Sequence, residues 1–184
     1  MSALGYRVSP RKKKDLRTMA EGWWSGLRLT GDRFPIVDVV DVGLSKHFGD
    51  RYTFAILEKH QMGDSHGLTD PDQLIMLIRR DVYDGACQGK GRDRFTLAHE
   101  LGHLLLHSGH RYLERIDPNA APTPPTHKKY EDSEWQADTF AAELLMPVHV
   151  VKKCAGPDQL ANLAGVSYQA ADVRFRALRQ DGVI

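Results

Sequence analysis

The chain has 184 residues, a formal net charge of +1, and 41% hydrophobic against 27% charged residues. This allows one compact domain with a small appendage and excludes a fibrous or wholly disordered chain. No apolar run approaches the ~18–20 residues of a membrane span, the amino terminus lacks a secretory signal pattern, and two cysteines make no disulfide framework, so the expectation is a protein of the reducing cytoplasm with no membrane.

The charge is uneven. Residues 1–17 hold Arg7, Arg11, Lys12, Lys13, Lys14 and Arg17 against the single acid Asp15, which gives +5 there and −4 for the remainder. Such an arm can neutralise phosphates, although a solvated helix start is the preferred reading. Leu16, Met19, Trp23 and Leu27 predict an amphipathic helix over 10–29, and 35–48 reads as a second, stopped at Gly49. Strands are expected at 51–57 and 73–83, the latter on the run Leu74-Ile75-Met76-Leu77-Ile78. A patterned helix follows from Arg92 or Asp93 to about His107. Residues 108–130, with four prolines, read as a long loop, and helix resumes over 132–145 before Pro147.

The chemistry lies in Ala98-His99-Glu100-Leu101-Gly102-His103. Residues four apart in a helix project from one face, so His99 and His103 can share a zinc ion. Glu100 flanks that face, where its carboxylate can accept a proton from water activated by the metal. Leu97, Leu101, Leu104 and Leu105 anchor the other side. A catalytic zinc needs a third protein ligand, and His107 lies about 12 Å along the axis from His99, too far to share the ion. Glu134 is the better candidate. Asp138, four residues later, would accept the spare ring N–H of a ligand histidine and fix its tautomer. An additional donor to the oxyanion is expected from His107, His127 or Tyr130.

Two blocks, Arg94-Phe95-Thr96-Leu97-Ala98-His99-Glu100-Leu101-Gly102-His103 and Glu134-x-x-Ala137-Asp138-x-Phe140-Ala141-Ala142-Glu143-Leu144-Leu145-Met146-Pro147, resemble the ImmA/IrrE family of metallopeptidases over about residues 35–150. The resemblance implies an α+β, zincin-like fold with a small sheet packed on the active helix. It implies His99, His103 and Glu134 as zinc ligands and Glu100 as base. It further implies an endopeptidase that cleaves a helix-turn-helix repressor in response to stress or foreign nucleic acid. The rival expectation is a nucleic-acid-binding regulator with a structural zinc and no protease activity.

The expected organisation is a basic arm at 1–17, a metallopeptidase domain at 18–155 and a helical hairpin at 156–184. In that hairpin Ser167 is a plausible cap, and the pattern resembles a helix-turn-helix. Arg174 and Arg179, with Arg11, Lys12, Lys13 and Lys14 of the arm, are the candidate contacts to DNA, which would then act as activator. Finally, Cys87 sits between Gly85 and Gly89 just before the zinc helix. In a zincin-like fold its thiolate could reach the open fourth position of the metal and hold the enzyme latent.

Overall fold

A computed structural model of the chain describes residues 5–109 and 127–184. In chain order it runs α1 (Lys13–Gly26), α2 (Ile36–Asp38), a π turn at Val39–Gly43, α3 (Leu44–Phe48), β1 (Thr53–Leu57), α4 (Lys59–Met62), β2 (Gly67–Asp70) and β3 (Ile75–Arg79). There follow α5 (Arg80–Cys87), α6 (Gly91–Leu106), α7 (Ser133–Leu145), α8 (Val148–Val151), α9 (Pro157–Ala164) and α10 (Tyr168–Gln180). The fold class is α+β, with a small three-stranded sheet among helices. The proline-rich stretch read as a loop falls mostly outside the described residues; its end carries a 3-10 turn at Lys129–Glu131.

The sheet has the order β1-β3-β2, with β1 parallel and β2 antiparallel to the central β3. Met76 and Ile78 of β3 are fully buried in the same core as Leu97, Leu101 and Leu104 of α6. Each such side chain contributes roughly 1.5–3 kcal/mol by leaving water. One face of the sheet thus sets the height and angle of α6. Among the described residues, no helix is long and apolar enough to cross a membrane.

The structure corrects the strand expected over 73–83. Its pairing ends at Arg79, and Arg80–Cys87 turns into α5. Arg79 has extended backbone and donates through Nε to Asp81 Oδ1 at 2.6 Å, in the first turn, while Val82 and Ala86, four apart, are buried on one helical face. Strand β2 was missed because only Leu68 of its four residues is a large apolar side chain.

Arg94 of α6 ties the end of α9 to the segment before α2. Arg94 donates from Nε to Gly165 O at 2.9 Å and from Nη2 to Phe34 O at 2.8 Å. Gly165, at φ +66°, occupies the left-handed region at the end of α9, and Ser167 caps α10 by accepting from the Ala170 amide. The start of α6 abuts this turn so closely that a Cβ on Gly91 would stand 2.2 Å from the Val166 carbonyl carbon. Gly91→Ala is therefore expected to cost about 1–3 kcal/mol by overpacking against backbone. Urea denaturation should show the loss, and an unchanged midpoint would mean that the turn yields freely.

The segment read as a basic arm is tied down at its described end. Gly5 N and Tyr6 N donate to Asp132 Oδ2 and Ser133 Oγ, and Ser133 N and Val8 N complete the seam with Tyr6 O and Glu131 O. Residues 5–9 therefore form a strap across the start of α7, and Lys13, Lys14 and Arg17 belong to α1.

Candidate metal centre

Helices α6 and α7 run antiparallel, as the pairings of His99 with Asp138 and His103 with Glu134 require. Their close approach depends on Gly102, where a Cβ would lie 3.0 Å from Ala137 Cα. A larger residue would push Glu134 away from the histidines. The α7 end is fixed by Asp132, which accepts from the Trp135 amide at 2.8 Å as helix cap.

Three side chains meet in this contact. His99 Nε2 and His103 Nε2 lie 3.0 Å apart, and Glu134 presents Oε2 at 3.3 Å from the first and Oε1 at 3.2 Å from the second. One ligand atom from each falls within 4.8 Å of the others, so a single ion can be held by all three. Two imidazole nitrogens and a carboxylate oxygen suit zinc and leave room for a further ligand. The outer ring nitrogens are also engaged: His99 Nδ1 is 2.8 Å from Asp138 Oδ1, and His103 Nδ1 is 3.0 Å from His107 Nδ1. With the proton on Nδ1 towards Asp138, Nε2 of His99 keeps its lone pair for a metal.

Electrostatics express the same compactness. Burial works against a charge on His99, but hydrogen bonds to Asp138 and Glu134 outweigh it and raise the imidazole to about 10. Burial raises Glu134 in turn, yet its bonds to His103 and His99 hold the carboxyl well below the usual carboxylate range. An arriving cation takes the place of the proton that Glu134 stabilises on His99 Nε2. Glu134→Ala should abolish stable metal binding, and Asp138→Ala should weaken it by the ~10–100-fold typical of groups that orient a ligand. Competition with a chromophoric chelator measures both. Full occupancy in Glu134→Ala would require a different third ligand.

Glu100 stands beside the triad without belonging to it. It is buried, and its Oε2 accepts from Thr69 Oγ1 at 2.6 Å. Gly67 of β2 leaves it room: a Cβ there would come within 2.6 Å of Glu100 Cγ and Oε1. The edge strand therefore holds the carboxylate against the metal face. The triad and Glu100 open onto a cavity of about 350 Å³, whose other walls include Tyr6, Val8, Thr69, Pro71 and His107.

Other candidates from the sequence are placed differently. His107 is buried and lines the cavity, with its ring against His103. His127 Nε2 instead meets Asp132 Oδ2 at 2.9 Å, and Tyr130 is exposed with Lys128 over its ring; neither lines the cavity. Tyr6 does line it, and no motif in the sequence points to Tyr6. Cys87 is corrected as a fourth ligand: it is exposed at the end of α5 and lies outside the ligand group. The helix α5, absent from the sequence reading, carries the thiol there.

Arg174 is corrected as a DNA contact. It is buried, gives Nη1 and Nη2 to Glu143 at 2.8 and 2.5 Å, and donates from Nε to Met146 O. Lys13 pairs with Asp181, and Arg11 packs its guanidinium against Met19 Sδ. Lys12, Lys14 and Arg179 are exposed, the last stacked over Phe175.

A family model described as the IrrE N-terminal-like domain, Peptidase_M78, matches residues 56–176. A comparison with curated proteins gives no match. The matched span exceeds half of the chain and contains His99, Glu100, His103, Glu134 and Asp138, so the chain belongs to the Peptidase_M78 family of metallopeptidases.

Proposed function

We propose that the protein is a zinc-dependent endopeptidase of zincin-like architecture, and that its substrate is a helix-turn-helix transcriptional repressor cleaved in response to stress or foreign nucleic acid. The observation that carries the peptidase reading is Glu100: a buried carboxylate, held by Thr69, facing the same cavity as a His-His-Glu group. A purely structural metal site needs no such base. The choice of repressor as substrate is supported by the resemblance of the two motif blocks.

Zinc bound by His99, His103 and Glu134 would polarise the scissile carbonyl. Glu100 accepts the proton of the attacking water and passes it to the leaving amine. Thr69 occupies Oε2 and so leaves Oε1 for that traffic. Asp138 and His107 hold the two histidines in orientation, and burial of Glu100 keeps competing water from its carboxylate. Tyr6 and His107 line the cavity where the carbonyl oxygen would develop charge.

Incubating the protein with a panel of small helix-turn-helix repressors, with and without chelator, tests the reading. We expect one discrete cut in a single repressor, abolished by chelator and restored by zinc. Tight DNA binding with no cut in any repressor would instead favour the regulator with a structural metal.

A further inference from the structure

Beyond the cavity over the metal, a second and larger hollow of about 1250 Å³ opens from the same residues. It shares only Gly67, His99 and Glu100 with the first. The cavity extends from there towards His103 and His107, and the groove extends the other way, towards the start of α6. A polypeptide crossing Glu100 therefore passes from one into the other.

Three helices wall the groove, each with a single face. Helix α6 supplies Arg92, Phe95 and Thr96, α7 supplies Trp135, Thr139 and Ala142, and α10 supplies Ala170, Val173 and Ala177. All three sets follow the three-to-four residue spacing of one helical stripe. Val173 is 57% exposed, an unusual setting for a β-branched apolar side chain in the middle of a helix. The dimensions suit a helix: ten residues of helix, about 15 Å long and 10 Å across, fill roughly 1,200 Å³. The cavity, at about 350 Å³, is smaller than a single turn of such a cylinder.

The charge of the lining is selective. Of its acids, Asp138 pairs with His99, Glu143 with Arg17 and Arg174, and Asp181 with Lys13, while Glu100 accepts from Thr69. Among the described residues, Arg92 and Lys129 enter no ion pair, and Lys129 lies over the Trp135 ring. The groove thus carries an apolar strip of Phe95, Trp135, Ala142, Ala170, Val173 and Ala177 within a mixed polar lining, with Arg92 and Lys129 as its two cations outside ion pairs.

We infer that this groove docks an amphipathic helix of the substrate polypeptide, adjoining the scissile bond, with an apolar stripe against Phe95, Trp135 and Val173 and acidic residues against Arg92 and Lys129. The inference rests on the peptidase reading for the identity of its occupant. Helix-in-groove recognition fixes partner choice through a few anchors at helical spacing. It would place the bond to be cut in the extended stretch between groove and cavity, and a helix lacking the acidic flank would be rejected.

Binding is measured in metal-loaded Glu100→Gln protein, so the outcome is independent of turnover. The probe is a fluorescein-labelled, stapled 14-residue helix with leucines at helical spacing and flanking glutamates. Comparators carry serine for leucine or lysine for glutamate, and a 14-nucleotide single-stranded DNA is tested as competitor. We expect the glutamate helix to bind at least tenfold more tightly than either peptide comparator. Val173→Glu should weaken it about tenfold, and Arg92→Glu with Lys129→Glu should reverse the preference between glutamate and lysine flanks. Equal affinity for the serine peptide, indifference to both variants, or DNA displacing the helix at lower concentration would each overturn the inference. Melting temperatures of the variants guard against misfolding. If cleavage is never found but the glutamate helix binds as described, the peptidase reading fails and the groove stands.

Discussion

Glu100→Gln is expected to lower peptide-bond cleavage by about 10²–10⁴-fold, the range that a positioned acid–base group contributes, while metal content and fold remain. The amide has the size of the carboxylate and can still accept from Thr69 through its oxygen, so the 2.6 Å contact that seats residue 100 against β2 survives. Lost is only the capacity to take a proton from water and return it to the leaving amine. Because Glu100 is outside the ligand group, zinc stoichiometry should match that of the parent. Metal analysis and repressor cleavage on the same preparation provide the check. Undiminished cleavage would remove Glu100 from the mechanism, and loss of zinc would show that it serves the metal directly.

Arg174→Ala should produce the largest loss of stability. Glu143 is 1% exposed at its side chain and Arg174 7%, while Arg17, the other partner, is 23% exposed. Removing Arg174 leaves a buried carboxylate with one partly solvated cation and leaves Met146 O without its guanidinium donor. Breaking a buried pair from one side costs about 3–5 kcal/mol, which for a domain of this size lowers Tm by roughly 6–20 °C. Replacing Arg174 and Glu143 together by methionine should recover much of that loss, because no buried carboxylate is then stranded and the remaining charge, on Arg17, is partly solvated. Thermal melts of the single and double variants decide it. A single-variant loss under about 1 kcal/mol would be the size seen for solvated surface pairs and would contradict the burial.

The contrast between these residues shows what a sequence discloses. His99, Glu100, His103, Glu134 and Asp138 could be placed together because helical spacing is local: once α6 and α7 are recognised, which side chains share a face follows from the period of the helix. The sheet was less legible. β3 was read too long because Val82 and Tyr83 are good strand formers, and the turn into α5 depends on tertiary burial of Val82 and Ala86. β2 was invisible because four residues gain their pairing only from β3. Charge misleads in the same way. Arg174 looked available to phosphate because its partner lies 31 residues earlier, and nothing in the spacing couples the two. Tyr6 reaches the cavity through bonds of the strap's backbone, Gly5 N to Asp132 and Tyr6 N and O to Ser133, which leave no mark on its own residue type.

The strap at residues 5–9 and the Arg17–Glu143–Arg174 cluster also bear on the order of events during synthesis. The strap and α1 leave the ribosome early, yet their partners at 131–136 and 143 come more than a hundred residues later, and Arg174 later still. At about 5–20 residues per second, the wait from Arg17 to Arg174 is on the order of ten to thirty seconds. During that interval α6 can already display His99, Glu100 and His103, but the carboxylate of Glu134 and the wall at Tyr6 are not yet in place. A nascent chain therefore carries the histidines of the site without its third donor, and the centre closes only when the two ends of the described fold have found each other.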